Sequence, residues 1–143
     1  MAILVTARKY SSIISAVSKL LETKEKVVVL VDGPAGAGKT TLAAEISKAF
    51  TSVNVVHMDE LYEGWQSPLS KDLYLRIELK ILQPHLAGEN LEYEIFNWTA
   101  NRFDQTKKLP DQKVLVLEGV GASSHRIREF ADVLVFVDIK EDI

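Results

Sequence analysis

Cysteine is absent from the sequence. Disulfides and thiolate metal sites are thereby excluded, and a reducing, cytoplasmic setting is expected. Long apolar runs are missing as well. Segments such as Val27 to Val31 are short, far below the roughly 20 residues that cross a bilayer. The first 22 residues are partly apolar, but Arg8, Lys9 and Lys19 interrupt them, so they do not read as a signal peptide. A surplus of positive charge is lacking too. Lys and Arg number 17 against 20 Asp and Glu, for a net charge of −3. Nucleic-acid binders carry a basic face, so neither nucleic acid nor membrane is an expected partner, and oligomeric state is left open. What is present is ordinary: 143 residues, 47% hydrophobic and 26% charged, enough for one domain with one core. Residues 1–143 read as that domain, with an N-terminal helical segment over 1–25 and the core over 27–143.

Hydrophobic spacing places the elements. Ile13, Ile14, Val17, Leu20 and Leu21 fall on one face of a helix over 11–21. The β-branched run at 27–31 has no polar alternation, as a parallel strand buried on both faces requires. A glycine-rich loop follows, then a helix over 39–50 and a short strand over 53–56. Residues 60–70 read as a loop. Ser70 opens a helix through residue 82 or as far as His85, with Pro84 ending or kinking it. Residues 91–96 look extended, and 101–112 look like a polar loop. Strands at 113–117 and 133–137 enclose a short helix capped by Ser123 or Ser124. Strands alternating with helices predict a doubly wound α/β fold, a parallel sheet with helices on both faces. Ligands in such sheets sit at the carboxyl ends of the strands.

The loop Gly33-Pro34-Ala35-Gly36-Ala37-Gly38-Lys39-Thr40 matches G-x-x-x-x-G-K-[ST] throughout. Its glycines let backbone N–H groups approach phosphate oxygens, and the next helix points its positive end at the same anion. Lys39 reaches the β- and γ-phosphates of a nucleoside triphosphate, and the Thr40 hydroxyl ligates Mg²⁺. Thr41, next on the helix, completes the nucleotide-binding candidates. ATP with Mg²⁺ is therefore expected, and the fold class becomes that of the P-loop NTPases. A glycine-rich turn could match by chance, but rarely between a buried strand and a helix. Asp32, just before the loop, reads as an orienting group.

Two acids stand at the same expected edge. Asp59 follows the second strand and Glu118 ends the third. One can align the acceptor hydroxyl or take its proton, and the other can hold Mg²⁺; capping of nearby turns is the alternative for both. His57, His85 and His125 show no metal spacing, and His57 reads as strand-end packing.

Three segments together carry a family resemblance: VDGPAGAGKTTLA, VVHMDELYEGW and VLEGVGA. They resemble the uridine kinase-like group of P-loop kinases, over about residues 27–143. That resemblance implies that Asp59 is the catalytic base or hydroxyl-orienting group, that Tyr62 lines the acceptor pocket, and that Glu118 joins Thr40 in the Mg²⁺ shell, with Lys39 as the third catalytic candidate. Uridine kinases also hold the nucleoside with a segment of the pattern Tyr-Asp-Phe followed by His and Arg. Here Phe96-Asn97-Trp98 takes that place, no histidine follows, and Arg102 falls one residue early.

On the acceptor side, Trp98 and Tyr93 could stack on a base or pack in the core. Arg102 could pair with an acceptor phosphate or make a surface ion pair, and Trp65 could close over the pocket or anchor its loop. The family pattern after the fourth strand is an arginine-bearing lid. The expectation is therefore that the natural product continues beyond Ile143 with such a helix and a further strand, because residues 133–137 are too apolar for an open sheet edge. The function expected is an ATP-dependent kinase of a nucleoside or nucleoside monophosphate. The alternatives are a kinase of another hydroxylated metabolite, such as a sugar acid or pantothenate, and an ATP-binding module without efficient turnover. A switch GTPase is excluded, since Asn-Lys-x-Asp does not occur.

The phosphate loop carries the first prediction. Lys39→Ala should weaken ATP binding by about 1.5–3 kcal/mol, the worth of one charge-assisted contact, in a chain that remains folded. Calorimetric titration with ATP measures the loss.

Overall fold

The computed structural model of the chain describes residues 3–6, 10–63 and 70–137. Five parallel strands form the main sheet: β1 (Ile3–Thr6), β2 (Val27–Asp32), β3 (Val53–His57), β6 (Val114–Glu118) and β7 (Val133–Phe136), in the order β1-β7-β2-β6-β3. Between them run α1 (Tyr10–Leu21), α2 (Lys39–Ala49), α3 (Lys71–Ile77) and α4 (Gln83–Leu86), and an antiparallel hairpin of β4 (Leu91–Asn97) and β5 (Arg102–Leu109).

Every residue of β2 is buried, which is why its sequence lacks alternation. Val27, Val29 and Val31 pack with Ile13, Val17, Leu42 and Ile46 of α1 and α2. Val28 and Leu30 face the opposite core with Leu73, Ile77 and Leu82. Successive side chains point to opposite faces of a strand, so one run of β-branched residues serves two helical layers. The expected doubly wound sheet with helices on both faces is the observed one.

Four expectations are corrected. The N-terminal segment holds a strand as well as a helix: β1 pairs in parallel with β7, Ile3 opposite Val133 through Thr6 opposite Phe136. The edge of β7 is therefore occupied, and the argument from an open apolar edge falls. The helix after Ser70 does not end at Pro84. Ser70 caps it as expected, its hydroxyl accepting from Leu73 N at 3.2 Å. A π-turn over Glu78–Leu82 then widens the helix, and Gln83 N bonds to Glu78 O. The wider turn lets the chain take Pro84 within α4 instead of breaking. Residues 102–109 form a strand, not a loop. Most of that strand is exposed, so no hydrophobic alternation marks it. Its position is set by β4, with Leu91 opposite Leu109 and a bulge between Ile95 and Phe96. The region after Ser123 is a series of turns ending in a 3₁₀ turn over Arg128–Phe130, not a capped helix, because the Ser123 hydroxyl bonds to Asp32 instead.

His85 is 2% exposed, with a ring nitrogen 3.1 Å from Val27 O. Burial holds its pKa below the ordinary 6.5. Below pH 6.5 the unfolded chain binds a proton that the folded chain resists, so stability falls as pH drops from 6.5 through the lower folded value. Each pH unit inside that window should cost up to about 1.4 kcal/mol. Urea unfolding at several pH values should show this slope, reduced in His85→Gln.

Candidate active site

The phosphate loop leaves the carboxyl end of β2 and enters α2 at Lys39. Gly33 has φ 149°, and a Cβ there would lie 2.3 Å from Val137 O. The loop can pass β7 only as glycine. Asp32 secures both the loop and its surroundings. Its carboxylate accepts from Gly33 N at 2.6 Å, Gly121 N at 3.0 Å and Ser123 N at 2.8 Å, and from the Ser123 hydroxyl. Burial alone would raise its pKa, but the Ser123 hydroxyl and these amides together hold it below 3.8. Lys39 is 8% exposed, and its Nζ donates to Pro34 O at 2.8 Å, lying across the loop it is expected to serve. Pro34, Ala35, Gly36, Gly38, Thr40 and Thr41 are exposed, while Ala37 is half-buried.

Beside the loop, β6 lies between β2 and β3, and their ends are in register. Val31 is opposite Glu118, and Glu118 is opposite His57. Glu118 is 5% exposed. Its Oε1 lies 2.6 Å from His57 Nδ1 and 3.5 Å from Thr40 Oγ1. The Glu118 hydrogen bond raises the pKa of His57 above 6.5. Asp59 is exposed on a 3₁₀ turn over Met58–Glu60 that follows β3 directly. Gly119 keeps the acids close together: at φ 157°, its missing Cβ would lie 2.5 Å from Met58 Cβ.

A cleft of about 350 Å³ is lined by Thr40, His57, Asp59, Glu60, Phe96, Trp98 and Glu118. Trp98 reaches it from the end of the hairpin. Its indole N–H donates to Asp59 O at 3.3 Å, and its ring meets Phe96 edge-on at 5.5 Å. Tyr62 is half-buried behind the Asp59 turn. Its hydroxyl donates to Val120 O at 2.9 Å, and burial pushes its pKa up to about 12. Tyr93 sits elsewhere: it is 4% exposed and packs in the core. Arg102 is exposed at the far side of the hairpin turn, opposite Asn97. Asn97 is engaged in that turn, its side-chain oxygen accepting from Thr99 N and Ala100 N and its amide donating to Asp104. Arg126 lies over the Tyr74 ring at 5.7 Å, and Arg128 donates to Ser123 O at 2.8 Å. Trp65 lies outside the described residues.

The cleft thus brings together Thr40, Asp59, Glu118 and Trp98; Lys39 is not in its lining and rests on Pro34 O in the adjoining loop. Tyr62, expected to line the acceptor pocket, is not in the lining of this cleft, and neither are Tyr93 and Arg102. The sequence reading missed His57 as a site residue. Only the strand register, which a single sequence does not display, sets it against Glu118. Glu60 was missed as a cleft-lining residue, while Phe96 lines the cleft from the segment that the resemblance had placed on the acceptor side.

The donor set suits Mg²⁺, which takes hard oxygen ligands and usually shares its shell with phosphates and water. Thr40 and Glu118 offer a hydroxyl and a carboxylate at one point, with Asp59 on the same cleft. Among the described residues, no group of three or more His, Asp or Glu could form an all-protein cage. No helix among them is long and apolar enough to cross a membrane.

Comparison with known proteins bears on the fold and the family. The Phosphoribulokinase / Uridine kinase family matches residues 79–143, and the NB-ARC domain matches residues 10–83. The uridine kinase of Latilactobacillus sakei subsp. sakei (strain 23K) is 27% identical over 139 residues, covering 85% of this chain and 64% of that protein. The uridine kinase of Ureaplasma parvum serovar 3 is 30% identical over 140 residues, covering 85% of this chain and 67% of that one. A solved structure described as a possible uridine kinase from Bacillus stearothermophilus superposes with a TM-score of 0.69 at 20% identity, over 86% of this chain and 78% of that one. At that identity the likeness concerns the fold. The chain spans 64% of the length of the Latilactobacillus relative.

Gly119 supplies a test of the geometry. Gly119→Ala forces a methyl group against Met58, next to Asp59, and should destabilise the chain by about 1–3 kcal/mol through overpacking and backbone strain. Urea unfolding measures the loss. An unchanged midpoint would show that the Met58–Glu60 turn yields freely.

Proposed function

We propose, starting from a chain that belongs to the uridine kinase-like group of P-loop kinases, that it transfers the γ-phosphoryl group of ATP to a hydroxyl of a nucleoside or nucleoside monophosphate. The observation that carries this reading is the single cleft in which Thr40, Asp59 and Glu118 face the aromatic pair Phe96 and Trp98. Phosphoryl transfer depends on positioning and charge more than on covalent help from the protein. In this reading the backbone of residues 33–38 cradles the phosphates. Lys39 leaves Pro34 O and turns to the β- and γ-oxygens. Asp59 aligns the acceptor hydroxyl and takes its proton as the oxygen attacks phosphorus and the β–γ bridging bond breaks, leaving ADP. Trp98, anchored on the Asp59 turn, offers its face to a flat base. Thr40 and Glu118 would hold Mg²⁺, which supplies neutralisation of the phosphate charge when bound.

A second reading rests on a specific observation. Among the described residues no arginine lines the cleft, and arginine contacts to the transferring phosphate are worth orders of magnitude in rate. A module that binds ATP without efficient turnover fits this as well. The commitment of Asn97 to its own turn also removes one group from sugar recognition. That keeps other hydroxylated metabolites among the acceptors to be tried.

Incubation with γ-labelled ATP and a panel of nucleosides, nucleoside monophosphates, sugar acids and pantothenate tests the proposal. Label should move to a nucleoside or its monophosphate. Asp59→Asn should abolish that transfer with little change in ATP affinity, whereas Glu118→Gln should raise the Mg²⁺ requirement. Binding of ATP with no labelled product from any acceptor would support the module reading instead.

A further inference from the structure

We infer that His57 is a positioning residue for the Glu118 carboxylate and, through it, sets the divalent-cation affinity of the cleft. The inference rests on the reading of Glu118 as a Mg²⁺-shell residue and assigns a role to a side chain that the family resemblance gives none. His57 and Glu118 are the last residues of adjacent parallel strands and are paired in register, so their side chains leave the same face of the sheet. The contact between them is short, 2.6 Å from Nδ1 to Oε1. Thr40 Oγ1 lies 3.5 Å from the same oxygen. Glu118 is therefore flanked by an imidazole from β3 and a hydroxyl from α2.

A glutamate has three side-chain torsions, and neither strand pairing nor burial of its stem fixes the outermost one. At 5% exposure, water does little to hold the carboxylate. The imidazole is the partner that selects one orientation, and the chosen orientation presents Oε1 toward Thr40. Groups that hydrogen-bond a ligating carboxylate typically contribute 10–100-fold to metal affinity by this route. Asp59 and Glu60 line the same cleft, so a Glu118 free to rotate would meet like charge. Holding it against His57 keeps the acids apart before a cation arrives.

The test uses the whole chain saturated with ADP, with Mn²⁺ as the probe and free Mn²⁺ followed by electron paramagnetic resonance. His57→Leu removes the donor at similar volume. His57→Asn keeps one, because an asparagine Nδ2 and an imidazole Nδ1 are both attached to Cγ. His57→Leu should weaken Mn²⁺ binding about tenfold or more, leave metal-free ADP affinity unchanged, and be largely rescued by His57→Asn. Native-like Mn²⁺ affinity in His57→Leu would overturn the inference. Equal losses in the Leu and Asn variants, or a His57→Leu chain that does not fold, would also overturn it, showing that the ring serves packing. Glu118→Gln separates the two levels of the argument. If it weakens Mn²⁺ binding while His57→Leu does not, only the inference about His57 fails. If Glu118→Gln has no effect, the assignment of Glu118 to the metal shell fails first.

Discussion

The carboxylate of Asp32 ties the functional edge of the sheet together. It ends the central strand and accepts from the amides of Gly33, Gly121 and Ser123 and from the Ser123 hydroxyl. One group thereby joins the start of the phosphate loop to the chain that follows Glu118. A buried charge is tolerable only when hydrogen bonds replace its hydration, and here the replacements come from the two loops that follow β2 and β6. Val137 N adds a bond to Asp32 O at 2.8 Å, so β7 is drawn to the same point. That closeness is what denies Gly33 a side chain.

Parallel pairing then does the rest of the positioning. Since β2, β6 and β3 run in one direction and end together, the groups at their ends arrive on one rim without long loops to hold them. Glu118 stands between Thr40 and His57, and Asp59 follows within one turn. A site on strand ends is stiffer than a site on loops, which suits chemistry that depends on placing charge within fractions of an ångström. The hairpin is the contrasting part. It is antiparallel, mostly polar along β5, and joined to the rim through the Trp98 contact with Asp59 and the packing of Phe96 between Trp98 and Phe103. In the proposed reading the acceptor side is built on a separate two-stranded sheet.

Much of this was legible in the sequence, and the legible parts share a cause. The buried run at β2, the glycine-lysine-threonine loop and the Ser70 cap are local: backbone conformation and periodicity over a few residues determine them. For that reason the sheet class, the phosphate loop and the edge on which Asp59 and Glu118 sit could be read from one chain. Tertiary structure alone decided what depends on partners distant in sequence. β1 is a strand because β7 offers it an edge. β5 is a strand because β4 lies beside it. Pro84 stays helical because a π-turn makes room. Tyr93 and Trp98, five residues apart in one aromatic segment, go to the core and to the cleft, because Tyr93 lies within β4 and Trp98 lies past its end in the hairpin turn. His57 became part of the site only when the register of β3 with β6 set it against Glu118, 61 residues away. Local propensities are written into each segment, but register and long-range contact are properties of the assembled sheet.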